Sequence, residues 1–312
     1  MKVGLESLIA PEVAEYLDEV REFNAAAEAR GGYWPEPDVL TPEGLREARE
    51  GLSERPAGPG PAPVELVAEA EGRRVPVRVL EPASGTPRGV FLEIHGGGFY
   101  MGSAARSDAR NRRLADALGI AVVSVDYRLA PEHPWPAAPD DCETAALWLL
   151  GESEARFGTT RLAIGGGSAG ANLAMTTLLR LRDRSLVESF VGAELDYGAF
   201  DLSAQTPAGR LYADEAFLEL YVGGVEDRTN PDISPNFGDL TGLPPALLVV
   251  GDKDLVLEDS IAMAGRLAAA GNEVDLRVYP ECPHGFLGMP LAMSAAALRG
   301  IEAWLGERFD AS

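Results

Sequence analysis

A serine enclosed by glycines is the residue of this chain whose setting first suggests covalent chemistry. Ser168 lies in Ile164-Gly-Gly-Gly-Ser-Ala-Gly170, between a short apolar run and a helical pattern. We interpret the stretch as strand, sharp turn and helix, because glycines at 166 and 170 allow an abrupt reversal around Ser168. The turn would expose the hydroxyl, and the helix that begins at Ala169 would point free N–H groups toward its target. The motif alone is a weak signal, since a chain with 35 glycines can contain it by accident.

A serine hydroxyl needs a neighbouring base, and the composition leaves few candidates. The chain has three histidines, at positions 95, 133 and 284. His284 directly follows the last strand pattern, so at the carboxyl end of a parallel sheet its loop would lie beside the serine turn. We therefore predict that His284 is the general base. For the carboxylate that holds it, the residues alone leave Asp252 and Asp254 open, since both follow the preceding strand.

Backbone donors for an oxyanion are predicted on both sides of the serine. The run His95-Gly-Gly-Gly98 follows the third strand pattern, and consecutive glycines let main-chain N–H groups converge on one point. The N–H group of Ala169 would complete the set. We expect His95 itself to be structural and hydrogen-bonded within its own loop.

The elements that must position these residues alternate along the chain. Eight strands are predicted at Val64–Ala70, Arg73–Leu80, Val90–Ile94, Ala121–Val125, Leu162–Ile164, Val191–Leu195, Ala246–Val250 and Val274–Tyr279. Helical patterns lie near 107–118, 140–150, 170–183, 259–270 and 291–309. Nearly continuous apolar strands that alternate with helices are typical of an α/β fold, a mostly parallel sheet with helices on both faces. The first two strands read as an antiparallel hairpin at its edge.

Two regions do not follow this alternation of strands and helices. Residues 1–55 show helical spacing of apolar positions and predict two amphipathic helices, followed by a linker from Pro56 to Pro63. Residues 199–230 interrupt the α/β domain of residues 56–312. We interpret both regions as parts of a helical cap over the sheet.

The net charge and the number of cysteines limit which partners and which cellular location we expect. With 49 acidic and 27 basic residues the formal charge is −22, which disfavours binding to nucleic acid or to an anionic membrane. We find no signal sequence and no apolar run near the ~18 residues that span a bilayer. Two cysteines provide no disulfide framework, so we expect a cytoplasmic protein. No pattern suggests a metal ion or a cofactor.

The chain resembles the hormone-sensitive-lipase-like esterases of the α/β-hydrolase fold from about residue 62 to 310. The resemblance is carried by His95-Gly-Gly-Gly-Phe99, Asp126-Tyr-Arg-Leu-Ala-Pro-Glu-His-Pro-Trp-Pro-Ala137, Gly166-Gly-Ser-Ala-Gly170, Ile233-Ser-Pro235, Leu243-Pro-Pro245 and His284-Gly-Phe286. It implies a catalytic α/β-hydrolase domain with Ser168 as nucleophile, His284 as base, and Gly97, Gly98 and Ala169 as oxyanion donors. It also places the triad acid at Asp254, which opens Asp254-Leu-Val-Leu-Glu-Asp259, and it suggests a homodimer through the last strand and helix.

The chain departs from the family pattern at two positions beside the nucleophile. Gly167 stands where the family usually has an acidic residue, and Ala171 where it usually has glycine. Neither change removes a catalytic group, so we expect activity to be kept. Both positions touch the floor of the site, so the family pattern does not fix the substrate range of this chain. We interpret the proline-rich block from Asp126 to Ala137 as scaffolding, in which Arg128 pairs with Asp126 or with Glu132.

These residues together predict a serine carboxylesterase that acts on small-molecule esters with short-to-medium acyl chains. Six aromatic residues are predicted to line the pocket: Phe99, Tyr100, Phe200, Phe217, Tyr221 and Phe286. An amidase or a natural-product deacetylase is an alternative that the sequence barely separates from an esterase. A ligand-binding relative without catalysis is a further alternative, although such relatives have lost the histidine that is present here as His284.

Overall fold

One eight-stranded sheet forms the centre of the described part of the chain. The computed structural model describes residues 5–9, 11–33, 37–51 and 59–311. The strands are β1 (Val64–Ala70), β2 (Arg73–Leu80), β3 (Val90–Ile94), β4 (Ala121–Val125), β5 (Leu162–Gly167), β6 (Phe190–Asp196), β7 (Ala246–Gly251) and β8 (Val274–Tyr279). Their order is β1-β2-β4-β3-β5-β6-β7-β8, in which β2 runs antiparallel to both β1 and β4 and the other neighbouring pairs are parallel. The predicted α/β-hydrolase fold with an edge hairpin is therefore confirmed.

Helices cover both faces of this sheet. They are α1 (Leu17–Ala29), α2 (Pro42–Glu50), α3 (Asp108–Leu118), α4 (Ala137–Phe157), α5 (Ala169–Asp183), α6 (Ala216–Val222), α7 (Leu257–Ala269) and α8 (Ala292–Asp310). Along β4, Val123 belongs to the apolar cluster under α4, α5 and α7, whereas Val122 belongs to the cluster under α3 and α8. Because successive side chains of a strand point to opposite faces, a strand buried on both sides is apolar at most of its positions.

Helix α4 is longer than its pattern predicts. The prediction covered about 140–150, but the helix runs from Ala137 to Phe157 and ends at Gly158, whose φ is 74°. The polar residues of its last two turns hid that continuation. A left-handed glycine is a common helix terminator, because no other residue adopts the conformation as easily.

The two helices predicted in the first 55 residues are present as α1 and α2. Helix α2 begins after Thr41, whose hydroxyl accepts from the N–H of Gly44 at 3.1 Å, and Pro42 occupies its first turn. Helix α1 contacts α8. Residues 56–58 of the linker predicted from Pro56 to Pro63 lie outside the described residues, and residues 59–63 form neither helix nor strand. Among the described helices, none combines the length and the apolar character needed to cross a membrane.

Candidate active site

Ser168 lies at a sharp turn between β5 and α5. Its φ of 56° and ψ of −119° are uncommon for a residue with a side chain, and such strain is concentrated at functional sites. A Cβ atom at Gly166 or Gly170 would collide with the carbonyl oxygen of Ile94 in β3. The N–H of Ser168 donates to the carbonyl of Asp196 at 2.8 Å. This close contact with the neighbouring strand explains why glycine is needed on both sides of Ser168, as predicted.

Three side chains from separate loops meet at this turn. His284 Nδ1 lies 2.9 Å from Oδ1 and 3.0 Å from Oδ2 of Asp254. The Nδ1–H donates to this carboxylate, so Nε2 is left to accept from the hydroxyl of Ser168, 3.0 Å away. The Asp254 side chain is 0% exposed, while that of His284 is 36% exposed. The arrangement has the geometry of a nucleophile, a base and a residue that orients the base.

The charges around His284 favour its protonated form. Burial opposes the imidazolium, but the charge and the hydrogen bond of Asp254 outweigh burial, and the exposed Glu215 adds to them, so the pKa of His284 is raised. Asp252 lies elsewhere in the loop and accepts from the N–H of Glu281 at 2.6 Å. Burial raises the pKa of the Asp252 carboxyl. The structure therefore places Asp254, and not Asp252, against the imidazole.

The glycine-rich loop after β3 lies directly against the serine turn. Gly97 and Gly98 have φ values of 124° and 58°, and a Cβ on Gly97 would collide with the carbonyl oxygen of Met101. A Cβ on Gly96 would lie 2.6 Å from the carbonyl oxygen of Gly167. Glycine at position 96 therefore allows the two segments to come this close.

The predicted oxyanion donors are free to bind. Within the described residues, the N–H groups of Gly97, Gly98 and Ala169 donate to no protein acceptor. Free N–H groups on two segments that touch beside a nucleophile can stabilise a developing negative charge. Their use as an oxyanion hole is part of the proposal below.

His95 supports this loop from behind. Its Nδ1 lies 2.8 Å from the carbonyl oxygen of Gly96, and its ring stacks on Tyr127 at a centroid distance of 4.2 Å. The hydroxyl of Tyr127 donates to the His95 carbonyl at 2.9 Å, and the N–H of Ala130 donates to the carbonyl of Phe99 at 2.9 Å. Burial lowers the pKa of His95. The proline-rich block thus holds the loop in the way the sequence suggested.

The predicted partner of Arg128 is wrong. Its Nη2 binds Oδ1 of Asp141 at 2.9 Å, instead of Asp126 or Glu132. The Asp141 side chain is 4% exposed and lies in the first turns of α4. A nearly buried carboxylate attracts the guanidinium more strongly than solvated carboxylates do. Glu132 pairs instead with Arg49 of α2, with Oε2 2.7 Å from Nη2.

Two of the six predicted pocket aromatics lie beside the free N–H groups. A Cβ on Gly98 would lie 2.7 Å from Cε1 of Tyr100 and 3.2 Å from Cβ of Phe217. Both aromatic residues are half-buried, so part of each side chain is open to solvent. Contact of Tyr100 and Phe217 with a substrate stays a prediction.

The other four aromatics need a correction, because they are almost wholly buried. Phe99 and Tyr221 stack on each other at a centroid distance of 3.9 Å and are each 1% exposed. Phe200 and Phe286 are 0% exposed and belong to the two apolar clusters of the core. These four side chains have no surface to offer a substrate, and they form packing behind the site. Aromatic residues near a motif can line a cavity or fill a core, and the sequence does not separate the two.

Sequence reasoning missed two contacts that tie the N-terminal helices to the site. Arg49 of α2 donates to the carbonyl oxygens of Tyr100 at 2.8 Å and Ala130 at 2.9 Å. Asn24 of α1 donates to the carbonyl of Glu281 at 2.8 Å, in the loop that carries His284. No sequence signal identifies either residue, because a polar side chain on an amphipathic helix is expected to face solvent.

A buried ionic group behind Ser168 was also missed. Arg110 of α3 binds Glu194 at 2.7 Å and Asp196 at 2.9 Å, and both acidic side chains are 0% exposed. Burial, and next the charge of Glu194, raise the pKa of Asp196. A sequence signal did exist here, since Glu194 is a charged residue within an otherwise apolar strand.

Comparison with known proteins gives a consistent family. A model described as alpha/beta hydrolase fold matches residues 91–288. Carboxylesterase NlhH of Mycobacterium tuberculosis is 35% identical over 249 residues, covering 73% of this chain and 77% of the relative. Ethyl acetate hydrolase of Pseudomonas putida is 31% identical over 233 residues, with coverage of 70% and 73%. The crystal structure of EstE7, a homologue of hormone-sensitive lipase from a metagenome library, superposes with a TM-score of 0.73 at 29% identity, covering 94% of this chain and 98% of that one.

Proposed function

The chain belongs to the hormone-sensitive-lipase-like carboxylesterases of the alpha/beta hydrolase fold, and from this membership we propose that it is a serine carboxylesterase for short-to-medium acyl esters. One observation carries the proposal. The hydroxyl of Ser168 lies 3.0 Å from Nε2 of His284, whose other nitrogen is held by the buried carboxylate of Asp254. A serine in this arrangement is activated for attack on a carbonyl carbon.

The mechanism follows from the positions of these groups. His284 takes the Ser168 proton as the oxygen attacks the ester carbonyl, and Asp254 stabilises the imidazolium that forms. The oxyanion accepts hydrogen bonds from the free N–H groups of Gly97, Gly98 and Ala169, which are preorganised by the contact between the two glycine-rich segments. His284 then protonates the leaving alcohol. A water molecule, deprotonated by the same histidine, hydrolyses the acyl-enzyme.

The preference for short-to-medium acyl chains is supported by crowding beside the oxyanion donors. The side chains of Tyr100 and Phe217 both approach Gly98, and Phe217 belongs to the insertion of residues 199–230. Aromatic side chains on the loop and on the insertion limit the room for a long acyl chain. A relative named for ethyl acetate is in keeping with this size class.

A fluorophosphonate label and an ester panel test the function directly. We expect Ser168→Ala to abolish labelling and to lower kcat/KM at least ~10³-fold, from the loss of a triad member. Ser84→Ala, a change at an exposed serine distant in sequence, is the control and should label fully. On p-nitrophenyl acetate, butyrate and palmitate, fastest turnover of palmitate would contradict the proposed substrate class. Unchanged hydrolysis by Ser168→Ala would overturn the function itself.

The amidase and deacetylase alternative shares these residues and needs its own measurement. An amide and an ester with the same acyl and aryl groups should be assayed side by side. We expect a higher kcat/KM for the ester than for the amide, because an amine is a poorer leaving group than an alcohol. A higher value for the amide would support the alternative.

We further propose that residues 1–55 and 199–230 form the cap of the domain over residues 56–312. Support comes from Arg49 and Asn24, which bind main-chain carbonyls of the two loops beside Ser168. The N-terminal helices would thereby hold these loops as well as cover them. Exchange of hydrogen for deuterium in the 96–101 and 281–286 loops should accelerate when either contact is removed.

Two further proposals concern the location and the oligomeric state of the protein. Both cysteines, Cys142 and Cys282, are free and buried, which is in keeping with a reducing cytoplasm. Strand β8 forms one edge of the sheet, and a homodimer through β8 and α8 remains a prediction from the family resemblance. Cell fractionation and light scattering on the purified chain test the two inferences.

A further inference from the structure

Tyr197 stands where the nucleophile turn and the histidine loop meet. It follows β6 directly, its N–H donates to the carbonyl of Val249 in β7 at 2.6 Å, and its φ is 38°. A positive φ is uncommon for a bulky residue and persists only where the surroundings enforce it. The backbone of Tyr197 is therefore held in this conformation by the packing around it, including its hydrogen bond to β7.

The ring of Tyr197 packs edge-on against the proposed base. Its centroid lies 5.1 Å from that of His284, with an interplanar angle of 65°, and 6.2 Å from that of Phe286 at 63°. Aromatic rings favour this edge-to-face geometry. Asp254 and Ser168 bind the two nitrogens of His284, but hydrogen bonds at those two atoms do not prevent the imidazole from tilting about the line that joins them. Packing against Tyr197 restricts that remaining motion.

Gly167 leaves the space in which this ring lies. A Cβ on Gly167 would sit 3.0 Å from Cε2, 3.3 Å from the hydroxyl oxygen and 3.4 Å from Cζ of Tyr197. These separations are tighter than ordinary van der Waals contact, so a Cβ at 167 would require the ring to shift by a few tenths of an ångström. The backbone of Gly167 does not have a positive φ, so glycine is not required there for its conformation. The space it leaves accounts for its presence next to the nucleophile.

We propose that Tyr197 is a positioning residue for His284, and that Gly167 is needed because a side chain there would shift the tyrosine ring relative to the imidazole. This inference rests on the proposed esterase function. The ring does not touch the reacting atoms. It acts through the orientation of the base, which must remain in line with the Ser168 hydroxyl and then with the leaving alcohol.

Steady-state kinetics on p-nitrophenyl butyrate test the role of the ring. Tyr197→Leu should lower kcat about 10- to 100-fold and leave KM within about threefold, because a small misplacement of a catalytic group costs up to about 10²-fold in rate. Tyr197→Phe keeps the ring and should retain kcat within about threefold. Tyr279→Leu is the matched control, since Tyr279 packs on Phe286 at 5.2 Å and makes no ring contact with His284. It should lower the Tm comparably and leave kcat within about threefold.

A double-mutant cycle tests the role of Gly167. Gly167→Ala should lower kcat severalfold in the native background and have little further effect in Tyr197→Leu, since the ring it would displace is gone. Equal losses in both backgrounds would overturn the proposed coupling, and a wild-type kcat in folded Tyr197→Leu would overturn the positioning role. Fluorophosphonate labelling of the native chain and of Ser168→Ala, measured in the same series, tests the esterase function separately. The positioning role of Tyr197 can therefore fail while the esterase function stands, and the two results can be told apart.

Discussion

The Nε of Arg49 donates a hydrogen bond of 2.8 Å to the carbonyl oxygen of Tyr100. A second nitrogen of the same guanidinium donates to Ala130 at 2.9 Å, and the group also pairs with Glu132. A helix from the first fifty residues is thus bound directly to the loop that carries two of the proposed oxyanion donors.

Removal of Arg49 should therefore reduce catalysis more than stability. We expect Arg49→Ala to lower kcat about tenfold, since loss of one oxyanion donor costs up to 10²–10³-fold and here the donors would be only loosened. Arg49→Lys should not restore the rate, because an ammonium group does not span the three acceptors. Arg46→Ala removes an exposed pair with Glu50 on the same helix and serves as the control in the kinetic assay. Equal rates for Arg49→Ala and Arg46→Ala would contradict the role.

The two aspartates after β7 should behave differently when their charge is removed. Asp254→Asn should lower kcat by as much as ~10⁴-fold, because the amide no longer selects the correct tautomer of His284. Asp252→Asn keeps an oxygen that can accept from Glu281 and should retain kcat within about threefold. Both kcat values come from one ester assay at a pH where His284 is neutral. The reverse order of effects would assign the triad acid to Asp252.

The pH dependence of the reaction should respond to Glu215. The base acts when His284 is neutral, so kcat/KM rises as the pH passes above its pKa. Because the charge of Glu215 helps to raise that pKa, Glu215→Gln should move the acidic limb of the profile to lower pH. Glu219→Gln is the control, because Glu219 is likewise exposed and lies on α6, and it should leave the acidic limb in place. A shift to higher pH would show that Glu215 acts on the base in another way.

The stability of the insertion should depend on the ionisation of Asp259. Its carboxylate accepts from the N–H groups of Phe200 and Asp201 and from the hydroxyl of Tyr212, and burial raises its pKa from 3.8 to about 6. The folded state therefore holds the proton more tightly than the unfolded state, and stability is lost as the pH rises from about 4 to about 6. At 1.36 kcal/mol per pKa unit the loss is about 3 kcal/mol.

Asp259→Asn tests this dependence, since the amide does not ionise. Denaturant unfolding at pH 4 and pH 7 should show that the variant gains stability relative to the native chain as the pH rises. The side chain of Asn236, which donates to Asp259, can reverse its amide to accept from the new group. Asp214→Asn changes an exposed aspartate and should show no such gain. Parallel stability profiles for Asp259→Asn and the native chain would refute the prediction.

The fold could be predicted because its signals are local. An apolar run such as Ala121–Val125 can be buried on both faces in only one kind of sheet, and the strand has those bounds in the structure. The turn at Ser168 was predictable because collision with Ile94 excludes any side chain at Gly166 and Gly170. Helix α4 was underestimated at its carboxyl end because its last two turns are polar. The pairing of Arg128 with Asp141 was missed because the sequence does not show which of several nearby carboxylates is buried.

By itself, the sequence determined the order of strands and helices, the turn at Ser168, the glycine-rich loop and a histidine after the last strand. Each depends on residue types within a short stretch, where backbone sterics and burial leave few alternatives. The residues alone left Asp252 and Asp254 open, and the family resemblance favoured Asp254. Only the tertiary structure showed that the Asp254 carboxylate binds His284, which aromatic side chains are buried, and that Tyr197 and Arg49 contact the loops of the site. Those outcomes depend on distances between segments far apart in the chain, and such distances follow from the packing of the whole domain.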